Sequence, residues 1–276
     1  RRIEIGLSRG RKQVSVDAVS LKKKSSFVGR FPDVTMSSED MELLRGGPQY
    51  RRRFLDLFLA ASSGDYLEHH RRYTTALKER NRLLREQVDD PAQYRAFEAV
   101  MAPAMAVLVD ARTACLERMR ERVGVFYARI SPVQEQPEIR YRPNLEAASP
   151  EDYAGILEEQ RGRDREAGTT RRGPHRDDFV VRILENRASR FASEGQKRGL
   201  VTALRLAELG MLEEARGVRP VLLADDVVGE FDVDRRRRFW DCLQDGPQVI
   251  ATGTEVPGAV FRGWKRIEVR EGAFAE

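Results

Sequence analysis

Two short stretches carry the residues best suited to chemistry. Asp225 and Asp226 stand side by side after Pro220-Val-Leu-Leu-Ala, and Ser193-Glu194-Gly195-Gln196 opens a long segment of periodic apolar residues. Adjacent carboxylates repel one another and call for a counter-charge. Mg²⁺ on a nucleotide phosphate supplies one through one or two carboxylate ligands. A serine hydroxyl and an unshielded glycine N–H at a helix start favour an anion, through unpaired donors and the helix dipole. One stretch therefore suits a metal and the other a phosphate. Each also has a plain structural reading: Ser193-x-x-Gln196 is a capping box, and the aspartates fit a strand terminus with a helix cap.

The elements that must position these groups follow from the apolar pattern. A four-residue apolar run after a proline, bounded by two carboxylates, predicts a buried parallel strand with its acids at the carboxyl edge, where open α/β sheets bind ligands. Leu200, Ala203, Leu204, Ala207, Leu209 and Leu212 predict an amphipathic helix between the two motifs. Residues 234–243 predict a second helix and Gln248-Val-Ile-Ala a second strand, which makes a βαβ unit with the Asp225 strand. Thr252 and Thr254 end that strand, and two readings stand for them: hydroxyls that bond phosphate or the attacking water, or simple strand-end threonines.

The chain of 276 residues allows one large or two ordinary domains. Its net charge of +5, with arginine greatly outnumbering lysine, suits a nucleic acid partner. Cys115 and Cys242 lie far apart with no C-x-x-C spacing, so neither a disulfide framework nor a zinc site is expected; both read as buried, reduced thiols. The apolar run 99–109 is too short to span a bilayer and contains Pro103, so no membrane partner is expected and the cytoplasm is the default location.

Upstream, Ile3-Glu-Ile-Gly-Leu and Gln13-Val-Ser-Val alternate as a β-hairpin turned at Gly10, and Lys22-Lys23-Lys24 reads as a solvated loop or a phosphate-contacting patch. Residues 31–36 predict a short strand, and Ser37-Ser38-Glu39-Asp40 a helix start. Arg51, Arg52 and Arg53 precede an apolar helix; surface solvation and contact with DNA phosphate are both open, and Asp56 is placed to pair with one of them. Two long helical patterns, 66–87 and 92–125, break at Val88-Asp-Asp-Pro91. Leu67, Tyr73, Leu77 and Leu84 oppose Val100, Met105, Leu108, Leu116 and Met119, which predicts an antiparallel helical hairpin. His69 and His70 fall on different helix faces and make no metal pair. Ile139 to Arg142 predicts a strand, Ser149-Pro150-Glu151 a helix reaching Arg163, and residues 164–172 a mobile loop. His175 and Arg176, before the strand Phe179-Val-Val-Arg-Ile-Leu, are site candidates, although a lone histidine is more often a structural hydrogen bonder.

These segments together carry a family resemblance. Ser193-Glu-Gly-Gln196 resembles the signature loop of ABC-type ATPases, and Val221-Leu-Leu-Ala-Asp-Asp226 followed by Gly229-Glu230-Phe231-Asp232 resembles their metal-binding strand and D-loop. With Gly173-Pro-His-Arg-Asp-Asp178, Ser37-Ser-Glu-Asp40, Gly47-Pro48, Arg51-Arg-Arg-Phe-Leu-Asp56 and Gln248-Val-Ile-Ala-Thr-Gly-Thr254, the chain from Ser37 to Thr254 resembles the RecF family of DNA replication and repair ATPases, relatives of SMC proteins. The resemblance implies an α/β fold, an ABC-type ATPase head with an inserted helical lobe that contains the antiparallel hairpin. The head would take residues 1–36 and 173–276, and the lobe 37–172. There are departures. No G-x-x-x-x-G-K-[ST] phosphate loop (Walker A) occurs in the sequence, and the chain begins at Arg1 rather than Met, so the head is expected to be incomplete and the chain an N-terminally truncated fragment. Met36-Ser-Ser-Glu-Asp replaces the family's Phe-Ser-Pro-Glu-Asp, Asp226 stands where most ABC ATPases have glutamate, and only hydroxyls occupy the place of their phosphate-sensing histidine.

The activity implied by the resemblance is slow ATP hydrolysis in a head-to-tail homodimer. Asp225 would hold Mg²⁺ and Asp226 would act as general base, with Ser193, Glu194, Gly195 and Gln196 meeting the partner's ATP, Glu230 and Asp232 in the D-loop, and Thr252 and Thr254 sensing phosphate. The implied partners are duplex DNA or single-strand/double-strand junctions and a RecR-like mediator, in the service of recombinase loading at gaps. Two other classes stay open: a non-enzymatic DNA- or partner-binding module with vestigial ATPase motifs, and the ATPase subunit of a transporter.

Overall fold

The computed structural model describes residues 2–8, 11–21, 27–131, 135–227, 231–243, 246–254 and 264–275. The N-terminal alternation forms β1 (Ile3–Ser8) and β2 (Arg11–Val16), paired antiparallel as expected and extended by β3 (Val19–Ser20). The turn at Gly10 and the run Lys22-Lys23-Lys24 lie outside the described residues. β4 (Asp33–Met36) buries Val34 and Met36 and hands over to a 3-10 turn, Ser38–Met41, capped reciprocally by Ser37 and Asp40. The short α1 (Glu42–Arg45) and α2 (Pro48–Ser62) follow, the latter burying Phe54, Leu55, Phe58 and Leu59 at helical spacing.

The predicted helical hairpin is present as α3 (Gly64–Arg85) and α4 (Pro91–Ile130), the latter of 40 residues and about 60 Å long. Ser63 and Asp90 cap the two helices through their side chains. The apolar stripes are largely those expected. Leu67 and Leu77 are only half-buried and Val100 is 42% exposed, because the contact face of α3 runs through Tyr66, Tyr73, Ala76, Arg80 and Leu84 instead. Among the described residues α4 is the one helix long and apolar enough to cross a membrane, a length the run at 99–109 alone did not suggest. Half of that window is buried, with Met101, Met105 and Leu108 fully enclosed against the rest of the fold. Cys115 is buried, its thiol pushed up to about 12 by burial, and Cys242 is half-buried; both are free.

β5 (Pro137–Arg142), α5 (Pro150–Glu159) and α6 (Arg161–Ala167) come next. The loop expected over residues 164–172 is replaced by ordered structure. Asp164 and Thr170 are both almost wholly buried, because each accepts from the guanidinium of Arg80, Asp164 Oδ2 at 2.8 Å and Thr170 Oγ1 at 2.8 Å. Arg80 also donates to Glu98 at 3.1 Å and to the Leu157 carbonyl at 3.1 Å, so one buried cation ties the hairpin to α5 and α6.

β6 (Asp178–Ile183) pairs antiparallel with β5 and with β7 (Asn186–Arg187), and the short α7 (Ala188–Phe191) leads to α8 (Glu194–Arg216). β8 (Val221–Asp225), α9 (Val233–Asp241) and β9 (Val249–Thr252) form the expected βαβ unit, in a parallel sheet of order β4-β8-β9; β10 (Glu268–Arg270) and β11 (Ala273–Ala275) form a separate hairpin. The β5–β6 ladder joins the segment 37–172 to the segment that follows it, and α4 packs on α8, so one hydrophobic cluster runs across that boundary.

Candidate functional site

The parallel sheet places Asp225 at the carboxyl end of β8, in register with Thr252 at the end of β9. Thr252 Oγ1 donates to Asp225 Oδ1 at 2.6 Å and accepts from the backbone N–H of Asp226 at 3.2 Å. The threonine hydroxyl proton is thus directed to Asp225, and this bond fixes one carboxylate oxygen while leaving the other open. Asp226 has φ of +53°, a left-handed conformation that short polar side chains tolerate best, and it turns the chain sharply off the strand. Both aspartates are exposed, and neither pairs with a lysine or arginine among the described residues. Two uncompensated carboxylates and a hydroxyl are hard oxygen donors, the set that suits a magnesium ion retaining most of its other ligands from water and phosphate. Thr254 is exposed just beyond β9 and Asp232 caps α9 by accepting from the N–H of Arg235 at 2.8 Å. Glu230 lies outside the described residues.

Ser193 caps α8, a helix of 23 residues, and the box with Gln196 is reciprocal: Gln196 N–H donates to Ser193 Oγ at 3.2 Å, and Ser193 N–H to Gln196 Oε1 at 2.7 Å. The cap uses Oγ as an acceptor, so its hydroxyl proton remains able to donate. Gln196 Nε2 then reaches Glu135 Oε1 at 2.8 Å, and Tyr127 donates to the other oxygen of Glu135 at 3.0 Å; burial pushes that phenol up to about 12. Glu194 forms ion pairs with Arg45 and with Lys197, and its carboxyl is held below its usual range, first by the hydrogen bond from Arg45. The guanidinium of Arg235 lies directly over Gly195, where a β-carbon would collide with it. None of the described bonds joins the 193–196 loop to Asp225, Asp226 or Thr252 within the chain.

The three arginines of α2 separate. Arg51 is bound to both oxygens of Asp178, at 2.6 and 3.1 Å, and to the carbonyls of Leu43 and Gly46, so its fork is fully engaged inside the fold. Arg52 donates to the Asp177 carbonyl at 2.7 Å, and burial first, then Arg112, lowers its pKa. Those bonds occupy Arg51 and Arg52, which are half-buried, while Arg53 is exposed. Asp56 pairs with none of the three. It accepts from Arg112 at 2.8 Å and Tyr66 at 2.6 Å and faces His70 at 3.3 Å; burial alone would raise its carboxyl, but those bonds and the arginine charge bring it down to about 2. His69 turns instead to the Asp65 carbonyl, at 3.0 Å.

His175 is structural in its contacts. Its Nε2 faces the Thr170 carbonyl at 3.0 Å, which can only accept, so Nε2 carries the proton and Nδ1 accepts from Tyr73 at 2.6 Å. Burial lowers the ring's pKa and holds it in that neutral form. Arg176 is exposed beside it. The buried Arg112, which donates to Tyr66, to the Pro174 carbonyl, to Asp177 and to Asp56, organises this region, and nothing in the local sequence pattern distinguishes it from a surface arginine.

Comparison with known proteins decides the family. No protein-family model matches the chain. The DNA replication and repair protein RecF of Acaryochloris marina is 35% identical over 267 residues, spanning 92% of this chain and 71% of that relative. The chain belongs to the RecF family. RecF of Myxococcus xanthus is 34% identical over 274 residues, covering 95% of this chain and 72% of its own. Among solved structures, the recombination mediator protein RecF in its ATPrS form from the RecFOR pathway superposes with a TM-score of 0.85 at 28% identity, covering 99% of this chain and 75% of that one. The ATP form of RecF gives 0.81 at 30% identity, covering 92% and 70%. The fold is accordingly the α/β ABC-type ATPase head of RecF with its helical hairpin, and the chain is a RecF-type DNA repair and recombination protein.

Proposed function

We propose that this chain contributes the acidic edge and the signature loop of a RecF-type ATP switch that closes two subunits on DNA. The observation that carries the proposal is the Thr252–Asp225–Asp226 arrangement at the carboxyl edge of a parallel sheet, with one oxygen of Asp225 fixed by a hydroxyl and neither acid in an ion pair among the described residues. Asp225 is assigned to hold Mg²⁺ on the nucleotide phosphates, and Mg²⁺ when bound neutralises charge that develops on them. Asp226, turned outward by its left-handed backbone, orients the attacking water and accepts its proton. Thr252 positions Asp225, and Thr254 is the hydroxyl left for phosphate. Ser193 and Gly195 at the start of α8 meet the ATP of the opposing subunit, aided by the helix dipole; Glu194 and Gln196 hold that loop through Arg45 and Glu135. No residue of the sequence is assigned to cradle the β- and γ-phosphates, since it contains no phosphate loop.

Closure brings two basic surfaces together on duplex DNA or a strand junction, so ATP acts as an affinity switch. A RecR-like mediator and recombinase loading at gaps complete the proposed setting. Residues 1–36 with 173–276 are assigned to the head and 37–172 to the lobe. The short side chain of Asp226 at the base position fits slow turnover. The test is DNA affinity and ATP turnover of the protein expressed from its whole reading frame, with and without ATP. The wild type is expected to bind DNA more tightly with ATP, and Asp226→Asn to lose turnover by about 100-fold or more while keeping ATP-stimulated binding. DNA binding indifferent to ATP and to Asp226→Asn would instead support a non-enzymatic module.

A further inference from the structure

The β5–β6–β7 sheet has two unlike faces. Ile139, Phe179, Val181 and Ile183 point into the core. Residues directly opposite one another in an antiparallel ladder share a face. The pairings Glu138↔Arg182, Arg140↔Val180, Arg142↔Asp178 and Arg182↔Arg187 therefore place Arg140, Arg142, Arg182 and Arg187 together on the other side. Arg140, Arg142 and Arg187 are exposed, and none forms an ion pair among the described residues. The two acids of this face are already engaged: both oxygens of Asp178 accept from Arg51, and Glu138 faces Arg182 at 3.9 Å. What remains is a predominantly basic surface whose back is anchored in the core. Arginines two apart on a strand are about 6.7 Å apart, close enough to follow one nucleic acid backbone from phosphate to phosphate.

We infer that this sheet face is a phosphate-backbone contact surface for DNA, with Arg140, Arg142 and Arg187 as its principal contacts. The inference rests on the proposed DNA-binding role and adds to the candidate arginines of α2, of which Arg51 borders this face through its bonds to Asp178 and Arg52 is bonded to the Asp177 carbonyl. Backbone contact without base readout fits the geometry: three guanidinium groups on a sheet face reach phosphate oxygens but insert no element into a groove. Phosphate contacts reveal themselves by counterion release, which sets the slope of affinity against salt.

The experiment is fluorescence anisotropy of a duplex with the protein from its whole reading frame and ATP, over a series of salt concentrations. The triple variant Arg140→Gln/Arg142→Gln/Arg187→Gln is expected to bind at least about ten-fold more weakly, with a log-log salt slope shallower by about 2 to 3. The Lys versions of the same three positions are expected to restore both readouts. Glu138→Gln, which removes an acid from the same face, is expected to tighten binding. Arg71→Gln/Arg72→Gln, whose side chains pair with Glu68 on α3, should leave the slope unchanged. If the wild type binds DNA and the triple Gln variant matches it in affinity and slope, the surface is not a DNA contact and its anionic partner is an acidic protein. If the wild type binds no DNA at any salt, the underlying functional reading fails instead.

Discussion

His175 and Asp226 are each held in one form by a single local feature. At His175 the feature is burial: the pKa of the ring lies below its ordinary value, so the neutral form bonded to Tyr73 and Thr170 is the folded one. A group whose folded pKa is depressed contributes stability that is present above its unfolded pKa and is lost as pH falls through the folded value. Thermal stability is therefore expected to fall as pH drops below the ordinary histidine pKa of about 6.5, and His175→Gln to flatten that dependence, as read by melting across pH. A wild-type and variant pair with parallel profiles would remove His175 from the account. Asp226 illustrates the other kind of constraint. Its position at the strand end is legible from the apolar run before it, but its φ of +53° is not, since nothing in Asp-Asp-Val-Val specifies a left-handed residue.

The helical hairpin was readable because its apolar residues recur at helical spacing and Val88-Asp-Asp-Pro91 marks the break between its arms; the caps Ser63 and Asp90 are seen in the fold. The ordered segment around α6 was not, because what orders it is a buried arginine 84 residues away in sequence, and an arginine in a helical pattern reads as a surface residue. Arg112 does the same for the other side of the lobe, holding Asp177, Asp56, Tyr66 and the Pro174 carbonyl from a side chain only 2% exposed. Removing one partner of a buried pair leaves the other charged and unsolvated. Arg112→Met is expected to destabilise the protein by about 3–5 kcal/mol, seen as a lower denaturant midpoint. A loss below about 1 kcal/mol would show that Asp177 is satisfied by Tyr141 and the Asn144 N–H alone.

For the molecule as a whole, the motifs assigned to the proposed ATP site could be read because each is short and local, and their order along the chain resembles the RecF family to which the chain belongs. The arginine face of the β5–β6–β7 sheet was invisible to the same reading. Its residues lie on three strands, the first far from the other two in sequence, and only the registers Glu138↔Arg182 and Arg182↔Arg187 reveal which ones share a side. Likewise, the triplet Arg51-Arg52-Arg53 looks like one patch in sequence and divides in the fold into two structural residues and one exposed one.

The proposed mechanism makes each ATP site from two subunits, Asp226 of one and Ser193 of the other; among the described residues no bond joins the two motifs. Mixing two inactive variants tests it. Asp226→Asn and Ser193→Arg are each expected to lose turnover. In a heterodimer of the two, one site combines both lesions and the other is intact. An equimolar mixture is therefore expected to recover about a quarter of the wild-type ATP turnover. A mixture as inactive as either variant alone would contradict the account, because it would place both residues in one site of a single subunit.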